Sequence, residues 1–240
     1  MTLLPKSKAF QCARWAFNVI GISPGRFQFF NLLKQWIIFH GHETLDPHHV
    51  AVIKKYVKEN MVVIDAGANC GDYTKEFLKC GAVVHAFEPS RIFGKLYKRF
   101  GSDKRVFLYP IALGSRNEEI TLNEFQNDRL ATAVSSTYGG KVVRERHVQC
   151  KTIDRLNISS HFIKIDCEGM DYEILKGAKK SLQRDRPVVL AEYNPLAMDR
   201  GYTEKRMVGF MESIGYMHKI IERSTYSTVT DILFVPTEER

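Results

Sequence analysis

Apolar segments of strand length alternate with segments of helical periodicity from residue 61 onward. The predicted strands span residues 61–66, 83–88, 105–110, 161–166, 187–193, 216–221 and 230–235. The predicted helices between them span residues 74–79, 92–100, 170–182 and 203–213. This order is typical of an α/β protein with a doubly wound parallel sheet. A short link joins the last two strands, which predicts an antiparallel closing pair.

The first 60 residues have a different pattern. Apolar residues recur at helical spacing in residues 10–20 and again in 29–37. Asp46 followed by Pro47 indicates a cap and a first-turn proline that open a further helix. We therefore predict that residues 1–60 form a helical extension packed on the core, rather than a membrane-contacting surface.

Residues 116–150 also interrupt the alternation. Two strand-like segments, 119–125 and 142–149, flank a polar segment at 132–140. We interpret residues 116–150 as a β insertion with a mobile substrate lid, inside one domain that spans residues 61–240.

The composition is that of a globular protein, with 44% hydrophobic and 26% charged residues. We expect a cytoplasmic protein, because residues 1–6 lack the start of a secretory signal and no apolar run approaches the roughly 20 residues that span a bilayer. The five cysteines include no Cys-x-x-Cys pair and predict reduced thiols. The net charge of +8 is spread among interspersed acids, so a nucleic-acid partner is not favoured.

The most informative segment is residues 62–74, an apolar strand followed by a glycine turn and a helix start. Gly67 and Gly71 lie where the backbone must turn sharply or approach a ligand. Their Gly-x-x-x-Gly spacing is not that of a dinucleotide fold. The turn opens with Asp65, a carboxylate that suits a positively charged ligand such as S-adenosylmethionine (SAM).

A second acid, Glu88, ends the next predicted strand, 21 residues after Gly67. An acid at about this spacing is placed to accept the ribose hydroxyls of a nucleotide. In the alternative interpretation, Glu88 is a cap partner of Ser90 and Asp65 only forms the turn.

The second dense motif is residues 162–178. Asp166 ends a predicted central strand, at the sheet edge where ligands bind, and Lys164 points to the same face. A lysine there is costly unless paired, so Lys164 either reaches the site or neutralises an acid. Asp166, Glu168 and Glu192 are the candidate catalytic bases, with a loop-capping role as the alternative for Glu192.

We predict no metal site. A divalent ion bridging Asp166 and Glu168 is not required by any motif. His40, His42, His48 and His49 lie close together in sequence, and we interpret them as residues of a solvated loop.

The motifs at residues 62–74, 87–90, 111–114, 151–156 and 162–178 resemble the FkbM family of SAM-dependent methyltransferases. The resemblance covers about residues 45–235. It implies a Rossmann-like class I methyltransferase sheet of seven strands with the last one antiparallel. It also implies SAM as methyl donor and a hydroxyl acceptor on a sugar, glycan or other small molecule.

The resemblance also assigns residues. Around the methionine end of SAM it places Asp65, Gly67, Asn69 and Gly71. Tyr73 and Thr74 would form the loop-to-helix junction, Glu88 would bind the ribose, and Ala112 would lie on the adenine side. Further candidate cofactor-binding residues are Ala68, Pro89 and Ser90. Asp166 and Glu168 would face the transferred methyl group.

Two other functions stay open on the sequence. One is a nucleic-acid methyltransferase attracted by the basic surface, and the other is a SAM-binding or carrier-docking module without catalysis. The oligomeric state is not predicted.

Overall fold

The computed structural model describes residues 45–125, 131–133, 142–194, 201–223 and 229–237. Its helices are Pro47–Tyr56 (α1), Asp72–Lys79 (α2), Phe93–Phe100 (α3), Ile153–Leu156 (α4), Asp171–Gly177 (α5), Lys179–Asp185 (α6) and Glu204–Ser213 (α7). Its strands are Val62–Ala66 (β1), Val83–Phe87 (β2), Val106–Tyr109 (β3), Ala112–Leu113 (β4), Glu118–Phe125 (β5), Ala131–Thr132 (β6), Val142–Lys151 (β7), Phe162–Ile165 (β8), Val188–Tyr193 (β9), Tyr216–Arg223 (β10) and Thr230–Pro236 (β11).

Seven strands form the main sheet in the order β10-β11-β9-β8-β1-β2-β3. β1 pairs in parallel with β2 and β8, and β9 extends the parallel set beside β8. β11 runs antiparallel to both of its neighbours, β9 and β10. The predicted fold, a seven-stranded doubly wound sheet with an antiparallel last strand, is confirmed.

Alternate residues of each central strand enter two cores on opposite faces of the sheet. Ile64 and Ile163 pack in one core with residues of α5, α6 and α7. Val63 and Phe162 pack in the other with residues of α1, α2 and α3. Because both faces are covered, the central strands are apolar almost throughout, which explains why they were recognisable as continuous apolar runs.

The helix predicted at 170–182 is divided into α5 and α6 at Ala178. The division follows Gly177, where a Cβ atom would lie 2.0 Å from the Gly114 carbonyl oxygen. The close approach of the two backbones anchors the end of α5 against the loop after β4.

A second sheet has the order β4-β7-β5-β6, in which β5 and β7 form an antiparallel pair. These two strands coincide with the segments that alternate at 119–125 and 142–149. Leu122 and Val148 of this sheet are buried and belong to one small hydrophobic cluster. The proposed division into domains stays a prediction, and residues 134–140 of the predicted lid and the helical stripes in residues 1–44 lie outside the described residues.

α1 begins as predicted. The Asp46 carboxylate accepts a hydrogen bond from the His48 backbone N–H at 2.6 Å, and Pro47 occupies the first turn. The interpretation of His48 and His49 as loop residues is wrong, because both lie on α1 and His49 is only 8% exposed. His40 and His42 lie outside the described residues. Cys70, Cys80, Cys150 and Cys167 are free thiols. Within the described residues, no helix combines the length and apolar character needed to cross a bilayer.

Candidate active site

The loop between β1 and α2 depends on two glycines. Gly67 has a φ of 73°, and a Cβ atom there would lie 2.0 Å from the Asp166 carbonyl oxygen at the end of β8. Gly71 has a φ of 83° and packs against the Phe100 ring. The backbone N–H groups of Gly67 and Ala68 both donate to the Phe87 carbonyl at 3.0 Å. The loop is thus fixed against the ends of two neighbouring strands.

Glu88 lies beside this loop and is 6% exposed. One carboxylate oxygen accepts a hydrogen bond from the Asn69 backbone N–H at 2.8 Å, and the other accepts one from Ser90 at 2.9 Å. The contact to Ser90 is the one that the capping interpretation predicted. Each oxygen has a second lone pair, so Glu88 can still accept a hydrogen bond from a ligand.

A cleft opens at the carboxyl ends of β1, β2 and β8, with an empty volume of about 780 Å³ that includes its mouth. It is lined by eight of the predicted site residues: Gly67, Asn69, Glu88, Pro89, Ser90, Ala112, Asp166 and Glu168. Its other lining residues are Phe87, Ile111, Leu113, Ile120, Leu122, Ala133, Cys167 and Met170. The lining therefore combines apolar side chains with three carboxylates, Glu88, Asp166 and Glu168.

Sequence reasoning missed the apolar wall of the cleft. Ile120 and Leu122 come from β5 of the second sheet, and Ile111 and Leu113 flank the predicted Ala112. The alternation in residues 119–125 was a usable signal for a half-buried strand. It did not indicate which cavity that strand would face.

Five predicted cofactor residues are not among those that line the cleft: Asp65, Ala68, Gly71, Tyr73 and Thr74. Asp65 is fully buried, and its Oδ2 accepts a hydrogen bond from the Thr74 hydroxyl at 2.6 Å. Burial raises the pKa of Asp65, and Lys164 only partly opposes this. Ala68 packs in the core near α2, and Tyr73 lies on the first turn of that helix. Their roles toward a ligand stay predictions.

Lys164 is the buried cation of this region, with its side chain 3% exposed. Its Nζ atom donates to the Gly67 carbonyl at 3.0 Å and lies 3.7 Å from Asp65 and 3.5 Å from Asp166. The same atom lies 4.5 Å from the centre of the Tyr73 ring. Burial lowers the pKa of Lys164, but Asp166 and Asp65 outweigh this and keep it above its usual value. Lys164 therefore neutralises acids and supports the glycine loop.

Four acids, which we call the acid cluster, gather near the carboxyl ends of β8 and β9: Asp166, Glu168, Asp171 and Glu192. The Asn194 side-chain amide donates to Glu168 at 3.2 Å and to Glu192 at 3.1 Å. Burial, and then repulsion from Asp166 and Asp171, raise the pKa of Glu168 to about 8. Burial and then Asp166 also raise the pKa of Glu192 well above its usual value.

Asp171 is the first residue of α5. It is also 1% exposed, and its Oδ1 accepts a hydrogen bond from the Cys167 backbone N–H at 3.2 Å. Burial, followed by Asp166, raises the pKa of Asp171 to about 7. Its electrostatic contribution to the acid cluster was not visible in the sequence, because acids in a first helical turn are common.

The strand order, the glycine loop after β1 and the acid after β2 define a class I methyltransferase fold with a Rossmann-like sheet. A family model described as the methyltransferase FkbM domain matches residues 65–222. The match covers well over half of the chain, and the protein belongs to the FkbM methyltransferase family. No curated protein sequence matches the chain significantly.

The chain is also similar to solved structures of methyltransferases. The chain is similar to methyltransferase FkbM from Methylobacillus flagellatus KT, with a TM-score of 0.51 and 16% identity over 73% of this chain. It spans only 43% of that protein's length. It also matches a TehB-like SAM-dependent methyltransferase from Corynebacterium glutamicum (TM-score 0.47, 10% identity, 90% of this chain and 100% of the other). A third match is an rRNA methylase from Streptococcus thermophilus (TM-score 0.48, 12% identity, 82% and 100%).

Proposed function

We propose that the protein transfers a methyl group from SAM to a hydroxyl group of a sugar, a glycan or another small molecule. The observation that carries this proposal is the acid cluster, from which Asp166 and Glu168 line the cleft. A hydroxyl group is a weak nucleophile and needs a base within hydrogen-bond reach as its oxygen attacks. Glu168, with a pKa of about 8, has a basicity suited to that task near neutral pH.

The residues of the cleft fit SAM. Glu88 offers carboxylate lone pairs for ribose hydroxyls, and the apolar wall around Ala112 suits an adenine ring. Asp166 and Glu168 add negative charge to the lining, which would favour the sulfonium and ammonium groups of SAM. When bound, SAM supplies a methyl group activated by its positive sulfur.

The acids in and near the cleft differ in the contacts that their side chains make. The Asp166 side chain is 39% exposed and lies 3.5 Å from Lys164, so it is accessible while its position is fixed by a cation. We assign Asp166 as the first candidate for the base or for the group that orients the acceptor. Glu168 also lines the cleft, and the Asn194 side-chain amide donates hydrogen bonds to both Glu168 and Glu192.

Isotope-labelled SAM tests the acceptor class. The purified protein is incubated with labelled SAM and with separated glycan, small-molecule, lipid and RNA fractions of the source cells. We expect the label in the glycan or small-molecule fraction, in a product that is stable to mild base as an ether is. Label recovered only in RNA would refute the acceptor assignment and favour a nucleic-acid methyltransferase.

Single-turnover kinetics of Asp166→Asn, Glu168→Gln and Glu192→Gln test the base. Loss of a general base lowers the rate by about 10²- to 10⁴-fold, and we expect Asp166→Asn in that range with the fold and part of SAM binding retained. Glu119→Gln, which changes a carboxylate 60% exposed on β5, is the matched control. An Asp166→Asn rate within about threefold of the wild type would remove Asp166 from the mechanism.

A further inference from the structure

Three carboxylates occupy register positions side by side on β9, β11 and β10. Glu192 is the register partner of Asp231, and Asp231 is the partner of Glu222. We call these residues the carboxylate row. Register partners on neighbouring strands project to the same face, and like charges in that arrangement are destabilising. The row therefore favours a cation beside it.

His49 reaches the carboxylate row from α1. Its Nε2 atom lies 3.3 Å from Asp231 Oδ2, yet it has no aligned hydrogen-bond partner among the described residues. The residue is 8% exposed, so this nitrogen is withdrawn from solvent. Buried polar atoms without a directed hydrogen bond are rare in folded proteins, so a nitrogen in this position calls for an explanation.

The other ring nitrogen of His49 has a hydrogen-bond partner. His49 Nδ1 forms a hydrogen bond with the Tyr73 hydroxyl group. When Nδ1 donates its proton to the tyrosine oxygen, Nε2 presents a free lone pair toward Asp231. Metal-binding histidines are commonly oriented by such a partner on the second nitrogen.

We propose that His49, Glu222 and Asp231 bind one divalent transition-metal ion such as Zn²⁺ or Mn²⁺. One ligand atom from each residue lies within 4.8 Å of the others. Ligand atoms about 2.0–2.2 Å from a tetrahedral zinc ion lie about 3.3–3.6 Å apart, which matches the 3.3 Å between His49 Nε2 and Asp231 Oδ2. Glu222 is exposed, so its carboxylate can turn inward and the ion has a path from solvent.

The ligand types indicate the kind of ion. An imidazole with two carboxylates suits Zn²⁺ or Mn²⁺, whereas Mg²⁺ and Ca²⁺ prefer oxygen ligands alone. Asp46 interacts electrostatically with both His49 and Glu222, so a further carboxylate adds negative charge to the same place. An ion there would connect α1 to the β10–β11 hairpin, and Tyr73 would connect it to the start of α2.

Metal titration of the full chain tests this proposal. The protein is treated with a chelator, and Zn²⁺, Mn²⁺ and Mg²⁺ are titrated by calorimetry while metal content is measured by mass spectrometry. We expect one Zn²⁺ or Mn²⁺ per chain and a higher unfolding temperature with the ion bound. Mutation of a residue that only orients a ligand weakens metal binding by about 10- to 100-fold, and we expect at least about tenfold for Asp231→Asn and Glu222→Gln.

Two further variants make the result decisive. His48→Ala, which removes an exposed imidazole one residue earlier on α1, should leave binding unchanged. Tyr73→Phe should weaken it without abolishing it. Because Glu222 is exposed, Glu222→Gln should keep its circular dichroism spectrum, so a lost ion cannot be attributed to unfolding. No stoichiometric ion, equal binding by Glu222→Gln and wild type, or binding of Mg²⁺ alone would overturn the proposal and leave a His49–Asp231 ion pair.

Discussion

Replacement of Lys164 by methionine should strongly destabilise the protein. Lys164 is 3% exposed and faces Asp65, which is completely buried, at 3.7 Å. Methionine keeps most of the side-chain volume but removes the charge, so Asp65 would be left buried without a cation. Removal of one partner of a buried ion pair typically costs about 3–5 kcal/mol, and we expect a loss of unfolding free energy in that range at pH 8.

The loss should be smaller in acid. Burial already raises the pKa of Asp65, and removal of Lys164 takes away the main influence that lowers it. A carboxyl group with a raised pKa binds protons more tightly in the folded state, so its contribution to stability falls as pH rises above about 3.9, the usual value of the unfolded group. Protonation of Asp65 at pH 5 should therefore recover part of the stability of Lys164→Met.

Urea denaturation followed by far-UV circular dichroism measures this effect. Lys79→Met is the control, since Lys79 is 57% exposed and its ion pair with Glu76 should be worth about 0–1 kcal/mol. If Lys164→Met lost no more stability than Lys79→Met, or if adding Asp65→Asn to it recovered nothing, the buried-pair argument would be refuted.

Three further effects follow from the carboxylates of the cleft and of the acid cluster. Glu88→Gln should weaken SAM binding by about 1 to 3 kcal/mol in calorimetry, and Glu119→Gln should leave it unchanged. The wild type should not bind NAD, and tighter binding of NAD than of SAM would contradict the cofactor assignment. SAM affinity should rise from pH 6 to pH 8, because a cationic ligand favours ionised Glu168, whose pKa is about 8; Glu168→Gln should flatten this profile. The unfolding free energy of the wild type should fall from pH 4 to pH 7, since folded Asp171, with a pKa of about 7, retains a proton that the unfolded chain has lost. If the unfolding free energy of Asp171→Asn fell equally with pH, this residue would be excluded as the cause.

The fold was largely predictable because local signals and global topology agree in this chain. Strands such as β1 and β8 are buried on both faces and therefore appear as continuous apolar runs. The glycine turn after β1 is specified by Gly67, whose missing Cβ allows the contact with the end of β8. The break between α5 and α6 was not predicted; it follows Gly177, whose backbone lies against Gly114, a residue distant in sequence and close only after folding.

The candidate site was predictable where a residue follows a strand directly. Glu88, Asp166 and Glu168 follow β2 or β8, and all three line the cleft. Asp65 illustrates the limit of this reasoning, because alternation along β1 turns its side chain toward Lys164, its register partner on β8. His49 was misinterpreted since its burial depends on packing between α1 and the sheet, which no local pattern shows.

The charge balance at the carboxyl edge of the sheet connects these observations. Parallel strands end at one edge, so acids that follow different strands converge there, and Lys164 is held against two of them. The raised pKa values of Glu168 and Asp171 indicate that this one cation does not compensate the acid cluster. Bringing a positive ligand into the cleft would lower both values, because opposite charge favours ionised carboxylates. The same ligand charge that the acids attract would thus convert Glu168 to the form that can accept a proton from a hydroxyl group.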